Sequence, residues 1–294
     1  MKILLYISAL CALALSACTT TKPEPKNYRY IEEKPMPEFE KMTLDIPLAT
    51  WAKEGLDYNH KLRVYIDGDA LPSKNNTDTM AIVPYPITQI AEKDPYPFSL
   101  VLGRPCYYTM AKSCKNVVWE QGRFMPEIIG QMQIVLNRWE KRYHPSEIEL
   151  IGYDGGAAVA LLLATRIKNT PVSVITFGGI LDTDRQAALK DGIDLYPGSL
   201  NPAKETDKLA SIPQIHYVGG QDTVAPQRLT EDFISKIKSP KSIQLRLVPQ
   251  ATHTNWHKFI INLINQPTTK VNTSNPQPAE QPQPQPSVQV EPAT

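Results

Sequence analysis

Three residues of this chain have the types and the order that hydrolysis through a covalent intermediate requires: Asp154, Asp222 and His253. Asp154 lies in a glycine-flanked turn between an apolar run and an alanine- and leucine-rich stretch, a pattern that predicts a strand, a sharp turn and a helix. An aspartate at such a turn offers a carboxylate nucleophile. Asp222 and His253 each follow a later apolar run, so the chain order is nucleophile, acid, histidine.

The elements that must position these residues are strands alternating with helices. Strands are predicted at 61–66, 98–102, 147–153, 172–177, 214–218 and 242–248, and helices at 126–142, 155–164, 225–238 and 255–264. Residues 78–91 are ambiguous, because Pro84 and Pro86 forbid a continuous helix. This alternation predicts an α/β fold with a mainly parallel sheet, whose chemistry lies beyond the carboxyl ends of the strands.

Each candidate also has a simpler structural interpretation. Asp222 follows two glycines, and its role could be limited to stabilising a turn. Asp182 is an alternative candidate for the acid that orients the histidine. His216 lies inside a strand pattern, which predicts a packed histidine, and His257 is expected to be exposed. Arg104 is interpreted as a partner in a structural ion pair rather than as a ligand for an anionic group. Core packing is also the simpler explanation of four aromatic residues: Tyr107, Tyr108, Trp119 and Phe124.

From residue 62 to 264 the chain resembles the α/β-hydrolase superfamily, most closely its bacterial lipoprotein and periplasmic members. The resemblance rests on the segments VYIDGDA, LGRPCYY, RFMPEIIGQM, LIGYDGGAAVALLLA, SLNP and HYVGGQDTVAP, and on the histidine after the last strand. It implies an α/β-hydrolase fold with a minimal lid, in which His253 is the base and Asp222 orients it. One oxyanion amide would come from the loop at Gly68 or Asp69, and the other from Gly155.

The departure from the superfamily pattern is Asp154, because these relatives carry serine there. Asp154 could be a nucleophile that attacks an sp³ carbon, as in haloalkane dehalogenases and epoxide hydrolases. Those relatives usually have a bulky residue at the next position and a large cap domain, whereas here Gly155 follows and only residues 181–211 separate two strands. Asp154 could instead mark a degenerate site, or act as a general base, which no sequence feature supports.

These alternatives lead to two functions. The first is a hydrolase with an Asp-Asp-His site that acts on a small-molecule substrate. The second is a catalytically degenerate protein that serves as a binding or scaffold lipoprotein. Serine-type esterase activity is not expected in either case, because the charge of Asp154 lies where an acyl oxyanion would have to develop.

The N-terminus carries a segment typical of an exported lipoprotein. An apolar run, too short to span a bilayer, ends in Leu-Ser-Ala before Cys18 and resembles the lipobox. The resemblance implies cleavage before Cys18 and attachment of acyl chains such as palmitate, which hold a protein on a membrane. Thr19 in place of aspartate favours the outer membrane, with the protein facing the periplasm. An ordinary secretory signal with an incidental cysteine is the alternative.

Cysteine use and charge exclude other classes of function. Cys106 and Cys114 are eight positions apart, and in an oxidising compartment they could form a disulfide; two buried thiols are the alternative. The chain has no CxxC pair or histidine-rich cluster, so no metal or cofactor is expected. The formal net charge of +1 gives no basic field that would attract nucleic acid.

Composition divides the 294 residues into four regions. Residues 1–17 are predicted to be the signal peptide, and residues 18–50 a lipidated cysteine with a flexible tether rich in Pro, Lys and Glu. Residues 51–265 form the predicted α/β-hydrolase domain. Residues 266–294 are a Pro/Gln tract with little to bury, which predicts a disordered tail.

Overall fold

A computed structural model of the chain describes residues 28–33, 48–53, 60–71, 87–109, 111–186, 194–240 and 242–266. Within these ranges, eight strands form one sheet with the order β1-β2-β4-β3-β5-β6-β7-β8. The strands are β1 (Tyr28–Glu33), β2 (Leu48–Lys53), β3 (Lys61–Ile66), β4 (Ser99–Leu102), β5 (Glu147–Tyr153), β6 (Val172–Phe177), β7 (Gln214–Gly219) and β8 (Ile243–Val248). The strands from β3 to β8 pair in parallel, while β1 and β2 add antiparallel pairs at the β4 edge.

Helices cover both faces of the sheet. In chain order they are α1 (Ile87–Lys93), α2 (Pro126–Tyr143), α3 (Gly155–Ala164), α4 (Thr206–Leu209), α5 (Gln227–Ser235) and α6 (Ile260–Ile264). Buried residues of α2, α3 and α5 share one apolar cluster with one face of the sheet, and buried residues of α1 and α6 share another cluster with the opposite face. The layers are therefore helix, sheet and helix, which is the architecture that the alternating pattern predicted.

The two helices nearest the candidate site form for different reasons. α2 begins at Pro126, whose fixed φ suits a first helical position, and it buries one apolar stripe that includes Ile129, Leu136 and Trp139. Every residue of α3 is buried, which is why its sequence is alanine- and leucine-rich without a polar face. The elbow therefore opens into a helix that is enclosed by the rest of the protein.

The predicted helices at the C-terminal end are shorter in the structure. The helix predicted at 225–238 is α5, from Gln227 to Ser235. The helix predicted at 255–264 is divided into a short 3₁₀ turn, Trp256–Lys258, followed by α6. The ambiguous stretch at 78–91 contributes the start of α1, which begins directly after Pro86.

The range predicted as a tether, residues 18–50, contains β1 and the first residues of β2 in the structure. Leu48, Ala49 and Trp51 are buried, and β2 pairs with β4 in antiparallel register. An uncovered sheet edge exposes backbone donors and acceptors, so a neighbouring segment gains hydrogen bonds by adding strands there. Composition predicted a flexible tether over residues 18–50 and did not predict that part of this range adds strands to the edge of the sheet.

The candidate site lies where the chain changes direction along the sheet. From β3 the chain continues to β4 on one side, and from β5 it continues to β6 on the other side. Ile66 pairs with Gly152, and Tyr153 pairs with Phe177, so the carboxyl ends of β3, β5 and β6 are level. The loops after β3 and β5 therefore border one crevice, the usual binding site of an open α/β sheet.

The structure confirms the predicted disulfide: Cys106 and Cys114 are bonded, with their Cα atoms 5.6 Å apart. The predicted signal peptide, lipidated Cys18 and most of the predicted tail, residues 267–294, lie outside the described residues. No helix of the described part of the chain is both long and apolar enough to cross a membrane.

Candidate active site

Asp154 occupies a strained turn between β5 and α3. Its φ of 53° and ψ of −123° are unusual for a residue with a side chain. The turn is tight because strand and helix nearly touch: a Cβ atom on Gly152 would lie 2.3 Å from the carbonyl oxygen of Gly156. The local sequence therefore folds into a nucleophile elbow with an aspartate at its centre.

The two carboxylate oxygens of Asp154 have different partners. Oδ2 accepts a hydrogen bond from the backbone N–H of Asp69 at 3.0 Å. Oδ1 lies 3.3 Å from Nε2 of His253, a contact between charged groups rather than a well-directed hydrogen bond. Asp154 is only 3% exposed, so both contacts form in a largely dry environment.

His253 is held on both sides of its ring and through its backbone. Nδ1 lies 3.0 Å from Oδ2 of Asp222. The other oxygen of Asp222 accepts the backbone N–H groups of Val224 at 2.9 Å and Ala225 at 2.8 Å, which fixes the carboxylate. The hydroxyl of Tyr153 donates to the carbonyl oxygen of His253 at 2.7 Å. The imidazole therefore lies between Asp222 and Asp154.

The charges around His253 favour its protonated form. Burial lowers the pKa of this imidazole, but the nearby carboxylates of Asp154 and Asp222 outweigh burial and raise the pKa to about 9. At neutral pH the ring is therefore an imidazolium that carries a proton on each nitrogen. The resting site contains a cation flanked by two anions.

Asp182, the alternative acid, is engaged elsewhere. One oxygen accepts the side-chain N–H of Asn201 at 2.8 Å, and the other lies 2.6 Å from Nζ of Lys236. The structure thus places Asp222, and not Asp182, against His253. The competing turn interpretation of Asp222 is also correct in part, because the same carboxylate stabilises the turn after β7.

The predicted oxyanion residues all lie against the elbow. A Cβ atom on Gly68 would lie 3.0 Å from the ring of Tyr153 and 3.1 Å from Cβ of Asp154, so this loop packs tightly against the elbow. The Asp69 amide is the donor that reaches Asp154. Gly155 follows Asp154 at the first position of α3. The sequence left Gly68 and Asp69 as alternatives, and the geometry assigns the donor to Asp69.

A buried ion cluster holds Asp69 in place. Its carboxylate contacts Nη1 of Arg104 at 2.5 Å and Nε of Arg123 at 3.1 Å, and all three side chains are almost fully buried. Its Oδ1 would lie 1.8 Å from a Cβ atom on Gly155. A bulky residue therefore cannot follow Asp154, because the carboxylate of Asp69 fills that space.

Sequence reasoning anticipated an ion pair for Arg104 and missed the part of Arg123. An arginine within RFMPEIIGQM has no local pattern that distinguishes it from a surface cation, since its partner is more than fifty residues away.

Most of the aromatic residues that the sequence predicts to be core residues are buried: Tyr107, Trp119 and Phe124. Tyr107 also has a polar contact that the sequence did not suggest, because its hydroxyl accepts the backbone N–H of Ala70 at 3.0 Å.

His216 and His257 lie where the sequence predicted. His216 is fully buried in β7, where its ring contacts Thr176 at 2.8 Å and Gln214 at 3.1 Å. Burial lowers its pKa to about 3, so the ring is neutral at physiological pH. His257 is exposed, in the 3₁₀ turn after β8. Among the described residues, no group of three histidine, cysteine or acidic side chains could hold a metal ion.

Solved structures share the fold of this chain. An acylaminoacyl peptidase from Pyrococcus horikoshii matches with a TM-score of 0.56 at 12% identity, over 81% of this chain and 41% of its own. An esterase from Pyrococcus furiosus matches with a TM-score of 0.52 at 15% identity, over 80% and 86% of the two chains. The chain has the α/β-hydrolase fold. The predicted fold class is therefore confirmed, and identities of this size establish the fold alone.

A candidate dienelactone hydrolase from Klebsiella pneumoniae shares the α/β-hydrolase fold with this chain as well, with a TM-score of 0.51 at 11% identity, over 79% of this chain and 90% of that one. The chain spans less than half of the length of the peptidase. No family model matches the sequence, and no curated protein sequence matches it.

Proposed function

We propose that this chain is a hydrolase that attacks an electrophilic sp³ carbon of a small molecule with the carboxylate of Asp154. The observation that carries the proposal is that the two carboxylate oxygens of Asp154 have different partners. Oδ2 is held by the Asp69 amide, while Oδ1 faces the His253 ring, which is paired in turn with Asp222. A carboxylate nucleophile needs one oxygen fixed and the other directed at the space beside the base.

In the first step, Oδ1 of Asp154 forms a bond to the substrate carbon, which leaves an alkyl ester on Asp154. The carbon either loses a halide or belongs to an epoxide that opens, and the alkoxide of the opened epoxide takes the Nε2 proton of the His253 imidazolium. In the second step, His253 takes a proton from water, and the hydroxide adds to Cγ of Asp154. The Asp69 amide stabilises the negative charge that develops on Oδ2. The intermediate then expels the alkoxide, which takes the proton back from His253, and the carboxyl proton of Asp154 passes to Nε2 of His253 and restores the resting site.

Formation of the ester would itself prepare the base. In the resting site, the imidazole is protonated because two carboxylates raise its pKa to about 9. Alkylation neutralises Asp154, so one of these two charges disappears and the pKa of His253 falls. After displacement of a halide, the Nε2 proton therefore leaves to solvent, and the ring becomes neutral. His253 then accepts the proton of water only after the nucleophile has reacted, which keeps the two steps in order.

The second candidate function is a binding or scaffold protein with a degenerate site. The contact between Asp154 and His253 favours it, because each charge neutralises the other inside the site, as in a structural ion pair. Gly155 and the short segment between β6 and β7 also differ from the bulky residue and large cap of the known carboxylate-nucleophile relatives. In this alternative the crevice binds a ligand without converting it.

We also propose that the chain is a lipoprotein of the cell envelope, attached to the outer membrane through acyl groups on Cys18 and facing the periplasm. The support is the apolar run that ends in Leu-Ser-Ala-Cys. The disulfide between Cys106 and Cys114 is consistent with an oxidising compartment.

The deciding experiment looks for the covalent intermediate. The full chain and its His253→Gln variant are incubated with panels of haloalkanes and epoxides, and the peptide containing Asp154 is weighed by mass spectrometry. We expect the alkyl adduct to accumulate in His253→Gln, since the base for its hydrolysis is missing. In the unchanged chain, a single turnover in ¹⁸O-water should place the label in the carboxylate of Asp154.

Two controls complete the design. Asp154→Asn should form no adduct, and Tyr96→Phe, at the opposite end of the sheet, should behave as the unchanged chain. The hydrolase proposal fails if no adduct forms with either panel. If Asp154→Ser then gains activity on short-chain nitrophenyl esters, the machinery survives around a lost nucleophile, and the binding-protein alternative is preferred.

A further inference from the structure

The oxyanion loop, residues 67–70 after β3, contacts one neighbouring segment along its whole length. That segment is the support loop, residues 104–109 after β4, which is closed by the disulfide between Cys106 and Cys114. β3 and β4 are adjacent parallel strands, so both loops leave the same end of the sheet. The two loops are therefore side by side at the crevice, although more than thirty residues separate them in sequence.

The support loop contacts every residue of the oxyanion loop. The Arg104 guanidinium binds the carboxylate of Asp69 at 2.5 Å and donates to the carbonyl oxygen of Gly68 at 3.4 Å. The hydroxyl of Tyr108 donates to Asp67, and the N–H of Ala70 donates to Tyr107.

The opposite side of the oxyanion loop is anchored as well. The second oxygen of Asp67 accepts the backbone N–H of Ile87, at the start of α1, at 2.7 Å. Asp67 is fully buried between these contacts, so it anchors the loop from two sides.

The disulfide fixes the support loop. Cys106 is fully buried and has a φ of 63°, a conformation that a residue with a side chain adopts only when its surroundings impose it. Its bonded partner and the apolar cluster around it, which includes Trp119 and Ile128, impose that conformation. Tyr107 is the next residue, so its backbone is joined directly to the cystine, and its hydroxyl reaches the Ala70 amide.

We propose that the disulfide-closed support loop positions the Asp69 amide against Asp154, and that Tyr107 is the central positioning residue. Tyr107 does not face the reacting atoms; it acts through the neighbouring amide of Ala70. The proposal deepens the proposed function, on which its catalytic meaning rests. The orientation of the Asp69 N–H toward Oδ2 of Asp154 can be tested without measuring turnover.

The test measures amide hydrogen exchange at Asp69 and Ala70 in the full chain by NMR. Two variants remove the support: Tyr107→Phe, which deletes the acceptor and keeps the ring, and the double variant Cys106→Ala/Cys114→Ala. Tyr96→Phe is the matched control, because its hydroxyl donates to the carbonyl oxygen of Lys61 at the other end of β3. Exchange at Val64, inside β3, reports opening of the sheet as a whole.

We expect exchange at Asp69 and Ala70 to accelerate about tenfold or more in both support variants, while exchange at Val64 changes by less than about twofold. Tyr96→Phe should leave exchange at Asp69 unchanged. Unchanged exchange at Asp69 in either support variant would overturn the proposal. Equal acceleration at Asp69 and Val64 would also overturn it, because the effect would then be global unfolding.

A kinetic measurement applies once turnover has been found. One oxyanion donor contributes about 10²–10³ in kcat, so a loosened donor in Tyr107→Phe should lower kcat about tenfold with KM within about twofold. An unchanged kcat would contradict the proposal. If the chain turns over no substrate, the hydrolase proposal fails by itself, and the exchange measurement still decides whether the support loop positions Asp69.

Discussion

At the scale of single residues, the candidate site is a row of alternating charges. Asp154 and Asp222 flank one imidazole, and their charges decide its protonation. The carboxylate of Asp154 also lies at the N-terminus of α3, where helix amides stabilise negative charge by about 0.3–1 kcal/mol. The aspartate is therefore compatible with the fold as it stands, and an elbow does not need serine to form.

The first prediction concerns the pKa of His253. An NMR titration of the full chain should give a value of about 9 for this ring, and Asp154→Asn should lower it, because one of the two carboxylate charges is removed. His216 is an internal control, since its ring should remain neutral over the same range. A value near 6.5 for His253 in the unchanged chain would show that the ion pair with Asp154 does not form.

The second prediction follows from the same shift. Because the folded-state pKa of about 9 exceeds the unfolded value of 6.5, the contribution of His253 to stability is complete below pH 6.5 and is lost as the pH rises through 9. The loss should approach about 3 kcal/mol at most. Urea unfolding on both sides of this window measures it. Over the same pH range, His253→Gln should lose clearly less stability than the unchanged chain. Equal losses in the two proteins would contradict the assignment of the raised pKa to His253.

At the scale of elements, the site depends on where loops leave the sheet. The carboxyl ends of β3, β4 and β5 are adjacent, and their loops supply the Asp69 amide, its support and Asp154. The histidine comes from the loop after β8 and is joined to the elbow through the hydroxyl of Tyr153. α3 carries the elbow and is enclosed on all sides, so errors in its packing would displace Asp154.

The third prediction tests the burial of α3. Leu161→Ala should lower the free energy of unfolding by about 2–5 kcal/mol, because it leaves a cavity beneath a fully buried helix. Leu247→Ala, the same change at an edge position where the side chain is half exposed, should cost less than about 0.5 kcal/mol. Chemical denaturation of both variants gives the comparison, and similar losses would mean that α3 is not enclosed as described.

At the scale of the whole molecule, one large sheet supports the crevice at the carboxyl ends of its strands. The amino ends of the strands carry a separate group of charges: Arg63 binds Asp94 at 2.8 Å and Glu149 at 2.7 Å. This network is buried and satisfied, and it joins β3 to β5 and to the segment before β4. This charge network therefore lies at one end of the sheet, and the candidate chemistry lies at the other end.

The fourth prediction concerns the proposed attachment of the molecule to a membrane. Cys18→Ser should move the chain from the membrane fraction to the soluble fraction of the cell envelope, because the acylated sulfur is lost. Cys11→Ala is the matched control and should remain with the membrane, since this cysteine precedes the predicted cleavage site. Fractionation followed by immunoblotting measures the distribution. Membrane association of Cys18→Ser would exclude Cys18 as the anchor.

The sequence by itself determined the alternation of strands and helices, the turn at Asp154 and the order of Asp154, Asp222 and His253. It also favoured a disulfide between two cysteines eight positions apart, which the structure confirms. These features can be predicted because they depend on local periodicity, glycine placement and short separations along the chain.

Only the tertiary structure decided that Asp222 rather than Asp182 lies against His253, that Arg123 and Tyr107 hold the oxyanion loop, and that β2 extends the sheet. Each of these depends on contacts between residues far apart in sequence, such as the 85 positions from Asp69 to Asp154. The register of parallel strands sets which distant side chains meet, and no local pattern records that register.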